Sequence, residues 1–406
     1  MLHPRGSEYL TPGLALSDYF RDGELMRIFF SVGEPSGDVH GANLLRAMQA
    51  IRPDVEAVGF GGDRMEQAGC KHLFPLCNYA VMGFGPVFAS LPTFMGLISQ
   101  ADRYFRHHRP DAVVLIDYPG FNWCIARRAH YHRIPVYYFV PPQICAWASW
   151  RVNKMRAFVD HVLCSLPFEE TWYRERGVSC EYVGHPFFDE LPRQKLDPDF
   201  MEAQRGQAGT IVGILPGSRT QEVERNFPSQ LLAARTIHRA RPDTRFLVAS
   251  FKDSQLKMAE KMRREFPDVP VQMYVGKTPE IIELSKVCLS VSGSVSLELL
   301  YRAKPTVIVY RVSRILAMLR GLLTTKYVTL VNLLADKLLY PEFTGASCSA
   351  AESSQAILHW LNDDLAHART VRELLALREK TARPGACERA AQRILQTMPY
   401  RIARAA

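Results

Sequence analysis

Asp117 closes the apolar run Ala112-Val113-Val114-Leu115-Ile116 and is followed by Tyr118-Pro119-Gly120-Phe121-Asn122. A lone carboxylate at the end of a buried strand suits a general base, because partial burial lifts its pKa toward the working range. The plainer alternative is a strand-end or helix-capping Asp. Leu215-Pro216-Gly217-Ser218-Arg219 closes a second apolar run. There Gly217 and Ser218 let backbone amides approach a phosphate, and Arg219 can neutralise a departing diphosphate. Its alternative is a surface arginine paired with Glu222 or Glu224. Ser292-Gly293-Ser294 leads into Val295-Ser296-Leu297-Glu298, so a helix start at Ser294 offers free amides to the same diphosphate. With Ser294 as cap, a capping-box acid would stand at Leu297. Glu298 falls one residue later and is predicted to accept from ribose hydroxyls, against the alternative of a solvated helix glutamate.

Ser31-Val32-Gly33-Glu34-Pro35-Ser36-Gly37-Asp38 follows the first strand and opens a helix near Val39. Capping accounts for Asp38, and Gly37 is expected to supply an unusual backbone angle; Glu34 has no such explanation and is predicted to face a cleft. One carboxylate set against a diphosphate cradle is the equipment of an inverting sugar transfer. The base takes the acceptor hydroxyl proton while that oxygen attacks the anomeric carbon from the face opposite the leaving diphosphate.

These loops need elements to hold them. Short β-branched or aromatic runs at Arg27–Val32, Val55–Gly59, Ala112–Asp117, Val136–Val140 and His161–Ser165 alternate with helical patterns, which predicts a parallel sheet. The alternation restarts with Thr210–Leu215, Arg245–Ala249, Val271–Val275, Val287–Val291 and Thr306–Tyr310. The expected fold class is α/β, two Rossmann-like parallel-sheet domains facing a central cleft, with a helical C-terminal tail. Expected boundaries are an extension over 1–25, a first domain over 26–190, a polar linker over 191–209, a second domain over 210–345 and a tail over 346–406. A chain of 406 residues exceeds what one core usually fills, which agrees with two domains.

Composition narrows the partners. A net charge of +9 favours anionic ones, yet no nucleic-acid motif is present, and the basic clusters near 103–109, 127–133 and 151–156 flank an apolar region. A lipid surface is therefore expected and nucleic acid is not. The segment from Ala80 to Met95, with Val81, Met82, Phe84, Val87, Phe88 and Leu91, is too short and broken to span a bilayer and is expected to dip into its interface beside acyl chains. The alternative is a buried helix. Nine cysteines without a Cys-x-x-Cys pair, and early residues lacking the apolar centre of a signal peptide, point to a reducing cytoplasm. No Cys/His ligand cluster is present, so no metal is expected.

In this order the loops resemble the lipid A disaccharide synthases. The resemblance runs over about 27–345 and rests on Ser31 to Asp38, Gly61-Gly62-Asp63-Arg64-Met65, Val81-Met82-Gly83, Ile116 to Asn122, Leu166-Pro167-Phe168-Glu169, Val183-Gly184-His185-Pro186, Leu215 to Arg219, Ser292 to Glu298, and Asn332-Leu333-Leu334-Ala335. It implies a UDP-2,3-diacylglucosamine donor, an acylated glucosamine 1-phosphate acceptor, a β-1,6-linked product and released UDP. It also implies a peripheral enzyme on the cytoplasmic face of the inner membrane, without cofactor or metal; a homodimer is left open. Carried over by motif, Asp117 is the base candidate, Arg219 the diphosphate ligand, Glu298 with Asn332 part of donor recognition, and Glu34 a lining residue of the cleft. The loop Pro142-Gln143-Ile144-Cys145-Ala146-Trp147 departs from the family in keeping one tryptophan where two are usual. Rival readings are another two-domain UDP-sugar enzyme, either a polyprenyl-linked glycan transferase or an epimerase, and a non-catalytic lipid- or nucleotide-binding protein.

Overall fold

In the first strand, β1 (Met26–Val32), Ile28, Phe30 and Val32 pack on one face of a sheet and Phe29 on the other, as the two-residue period of a strand requires. Both faces are apolar, which marks a strand covered by helices on either side. The computed structural model describes residues 25–81, 91–146, 148–311, 326–345 and 350–398.

β1 is central in a parallel sheet with β2 (Val55–Phe60), β3 (Lys71–Phe74), β4 (Ala112–Ile116), β5 (Val136–Phe139), β6 (His161–Cys164) and β7 (Cys180–Tyr182). The spatial order is β3-β2-β1-β4-β5-β6-β7. A second parallel sheet contains β8 (Thr210–Leu215), β9 (Thr244–Ser250), β10 (Val271–Val275), β11 (Val287–Ser290), β12 (Thr306–Arg311) and β13 (Glu342–Gly345), in the order β10-β9-β8-β11-β12-β13. The order reverses between β1 and β4 in one sheet and between β8 and β11 in the other. Such switch points open a crevice beyond the strands' carboxyl ends. The sequence motifs follow those four strands.

Three edge strands, β3, β7 and β13, carry no strong sequence pattern. They are short and half-exposed, so selection for apolar alternation on them is weak. The stretch read as a polar linker contains a helix, Pro198–Arg205, which Asp197 caps by accepting from the Phe200 amide at 3.1 Å. Gln204 fastens that helix to the second sheet through Arg245 and Tyr274. Beyond β13, helices Ala350–Asn362 and Asp364–Thr381 pack on the second domain, whereas Ala386–Thr397 returns to the first and lays Ala390, Ala391, Ile394 and Leu395 against its core. Asp189 fixes this return by accepting from the amides of Gly385, Ala386 and Cys387. The tail thus ties the two halves together.

Candidate active site

The carboxyl end of β4 is a strained corner. Asp117 and Tyr118 both have left-handed backbone angles, with φ of 48° and 45°. Asp tolerates this region, but a bulky aromatic there costs about 1–2 kcal/mol and has to be held in place. The Asn122 side-chain nitrogen lies 2.7 Å from the Asp117 carbonyl and 3.2 Å from those of Ser31 and Ile116, while its oxygen accepts from the Ser31 hydroxyl at 2.6 Å. The buried Tyr138 hydroxyl donates to the Asp117 carbonyl at 2.7 Å. Gly33 admits the Tyr118 ring: a Cβ at Gly33 would stand 2.2 Å from Tyr118 Cδ1. The corner is overdetermined, so the Asp117 backbone is held in one conformation at the mouth of the cleft.

Burial lifts the Asp117 carboxyl, and the negative charge of Glu34 lifts it further, against the Tyr118 amide and Arg219; the result is a pKa of about 6. A carboxylate with that pKa can receive a proton near neutral pH without being so weak a base that it never does. Glu34 stands at the N-terminus of the helix Pro35–Ile51 but makes no capping hydrogen bond. Its side chain turns across the cleft to Arg219, whose guanidinium lies 3.2 and 3.3 Å from its two oxygens. Switch-point loops of the two sheets therefore meet.

Arg219 precedes the helix Thr220–Ala240 and also lies 3.6 Å from Glu222. Gly217 has φ of 119°, and a Cβ there would stand 2.6 Å from a Glu222 oxygen. The glycine is needed both for the angle and for this close approach. Glu222 Oε2 accepts from the amides of Ser218 and Arg219 at 3.2 and 3.3 Å. The amides expected to await a phosphate are thus occupied by a carboxylate of the same chain. Gln255, buried beneath, donates to the Ser218 carbonyl at 2.7 Å and holds the loop from below. Across the cradle Gly293 and Ser294 are exposed, with open space where a Gly293 Cβ would lie.

Other candidates fall differently. Glu298 is buried and paired with Arg302 one turn on at 3.1 Å; burial raises its pKa and Arg302 opposes the rise. It is neither solvated nor without a protein partner. Asn332 is fully buried: its nitrogen donates to the Tyr340 carbonyl and to Glu342, and its oxygen accepts from the Leu339 and Tyr340 amides. Those four bonds use its hydrogen-bonding capacity, so direct donor contact is replaced by a role in shaping the turn before β13. Asp38 does not cap its own helix. Its carboxylate accepts from the amides of Gly62, Arg64 and Met65 and so caps the short helix Asp63–Gln67. Gly37 has no left-handed angle; it is small because a Cβ would meet Val32 at 2.9 Å.

Val81 ends the short helix Leu76–Val81, while Met82, Phe84, Val87 and Phe88 lie outside the described residues, as does Trp147. Leu91 opens the helix Leu91–His108 and is exposed together with Met95, whereas Leu97, Ala101 and Phe105 further along are buried. No described helix is long and apolar enough to cross a membrane. Sequence reasoning gave no role to Tyr138 or Gln255, offered Glu222 only as an alternative ion-pair partner of Arg219, which it is at 3.6 Å, and noted Asn122 only within its motif. The capping by Glu222 could have been found, because an acid three residues after a helix's N-cap is a known capping signal.

Comparison with known proteins identifies the fold and the family. Solved structures of similar fold include the S. aureus MnaA–UDP co-structure, with a TM-score of 0.66 at 12% identity over 91% of this chain and 96% of that one. Another is the glycotransferase of kitacinnamycin, with a TM-score of 0.59 at 12% identity over 93% and 100%. At that identity they establish the fold, the two-Rossmann GT-B arrangement. Among curated proteins, lipid-A-disaccharide synthase of Anaeromyxobacter sp. (strain K) is 34% identical over 92% of this chain and 97% of its own length. That of Myxococcus xanthus (strain DK1622) is 32% identical over 92% and 98%. The family model described as lipid-A-disaccharide synthetase matches residues 28–397, from β1 through the returning tail helix, and the chain belongs to that family.

Proposed function

We propose that this glycosyltransferase joins UDP-2,3-diacylglucosamine to 2,3-diacylglucosamine 1-phosphate, giving a β-1,6-linked disaccharide 1-phosphate and UDP. Asp117 takes the proton of the acceptor hydroxyl as that oxygen bonds to the donor's anomeric carbon. The bond from that carbon to the diphosphate breaks on the opposite face, and UDP leaves with the electron pair, its charge met by Arg219 and the exposed helix start at Ser294. Glu298, on that helix, bears on the donor's ribose through whatever oxygen Arg302 leaves to it. The observation that carries the reading is the meeting of the two switch points. Asp117, with its pKa lifted to about 6, shares one cleft with Arg219, and Glu34 bridges them.

The test is to incubate the protein with UDP-2,3-diacylglucosamine and the acylated sugar phosphate and to weigh the product. A disaccharide phosphate appearing together with UDP is expected; a UDP-sugar altered without the acyl acceptor would mean epimerisation instead. We place the enzyme on the cytoplasmic face of the inner membrane, where both acylated substrates would lie. Exposed Leu91 and Met95 at the start of one helix support this, as does exposed Trp150 with Arg151 and Lys154 within 6 Å of its ring. Leu91→Asp should weaken co-sedimentation with anionic liposomes, and added salt should weaken it further. Unchanged co-sedimentation would remove the membrane assignment.

A further inference from the structure

Arg219 faces two carboxylates in the cleft. Glu34 reaches it from the first domain at 3.2 Å, and Glu222 from its own helix at 3.6 Å while occupying the amides of Ser218 and Arg219. Together they engage the two amides and the guanidinium, the donors of this loop suited to the oxygens of a diphosphate. Glu222 belongs to the helix start and is fastened by backbone hydrogen bonds. Glu34 is different: no capping bond holds it, and Arg219 is the partner its side chain reaches across the cleft.

We propose that Glu34 is a positioning residue that occupies Arg219 until a nucleoside diphosphate arrives, and that the diphosphate takes Arg219 from it, leaving the Glu34 carboxylate facing Asp117 unneutralised. The proposal rests on reading Arg219 as the diphosphate ligand. Its consequence is an order of events. While Arg219 sits beside Glu34, the charges around Asp117 partly cancel. The groups acting on Asp117 are Glu34, which favours its protonated form, and Arg219 and the Tyr118 amide, which favour the carboxylate; the Tyr138 hydroxyl is spent on the Asp117 carbonyl. Once Arg219 turns to the diphosphate, Glu34 is opposed only by the Tyr118 amide, and Asp117 holds a proton more tightly. The donor thereby strengthens the base just when an acceptor hydroxyl can use it.

An ion pair this exposed, with 65% of the Arg219 side chain and 30% of Glu34 accessible, is worth little in water. A diphosphate displaces it readily, so the rivalry costs UDP about fivefold in affinity. UDP titrated calorimetrically into the full-length protein tests this. Glu34→Gln should bind UDP about fivefold more tightly than the parent, and Glu34→Asp, which keeps the charge but shortens its reach, should fall between. In an Arg219→Ala background Glu34→Gln should change UDP affinity by less than about twofold, since there is no cation left to contest. The acid limb of the kcat/KM profile should also move to lower pH in Glu34→Gln, which a purely structural role would not produce. If Glu34→Gln binds UDP equally or more weakly while Arg219→Ala weakens it, the proposal fails and the diphosphate assignment stands. If Arg219→Ala leaves UDP affinity unchanged, the assignment itself fails.

Discussion

The two sides of the cleft are built in opposite ways. On the first-domain side Asp117 sits on a corner bound by Asn122, Tyr138 and the Tyr118–Gly33 contact, in a backbone conformation that nothing softer would maintain. On the second-domain side the Gly217–Arg219 loop is supported from below by Gln255, but its outward groups are engaged by Glu222 and Glu34. Chemistry that moves a proton needs a carboxylate fixed to within a fraction of an ångström. Binding that must capture and release a charged leaving group is served by contacts that exchange, and exposed ion pairs exchange at little cost. On the proposed reading the base stands on a preformed corner, whereas the diphosphate cradle engages carboxylates of its own chain that a ligand has to displace.

The contrast can be broken most sharply at Asp117. Asp117→Asn should lower kcat by about 10²–10⁴-fold while leaving UDP affinity within about twofold, because it removes the proton acceptor and spares the cradle. A parallel loss of UDP affinity would show that the sides do not divide the labour. At Asn122 the contrast becomes one of stability. Asn122→Ala deletes a buried side chain with four close polar partners and should cost about 2–4 kcal/mol by urea unfolding, whereas Gly293→Ala on the open side, where a Cβ meets nothing, should change stability by less than about 0.5 kcal/mol. Equal losses would mean the first corner is not specially locked.

Smaller effects follow pH. With Asp117 lifted to about 6, kcat/KM should fall as pH drops through about 6, and the log–log slope should approach one. Stability runs the opposite way for a physical reason. A carboxyl whose folded pKa is raised above the ordinary 3.8 favours folding while protonated and burdens it once ionised. Asp117→Asn should therefore raise the melting temperature at pH 8, where the parent carries the burden in full, and give no gain at pH 3.5. A gain at both values would point to something other than ionisation.

Much of this was legible in the sequence. The central strands and the motifs at their ends announce themselves through local apolar runs cut off by Gly, Pro and charge, and local pattern is what a chain displays before it folds. Even the helix in the supposed linker carried its signal, since Asp197-Pro198 is a helix start in miniature. The edge strands β3, β7 and β13 were not legible, because a half-exposed edge accepts polar residues. The sequence by itself determined that an acid ends β4 and that a glycine, a serine and an arginine follow β8. Only the tertiary structure decided their partners. Glu34 meets Arg219 across 185 residues, Asn332 turns inward to Glu342, and Glu298 spends itself partly on Arg302. A side chain's chemistry is local, but which charge stands opposite it depends on how two sheets and a returning helix are packed, and no spacing along the chain records that.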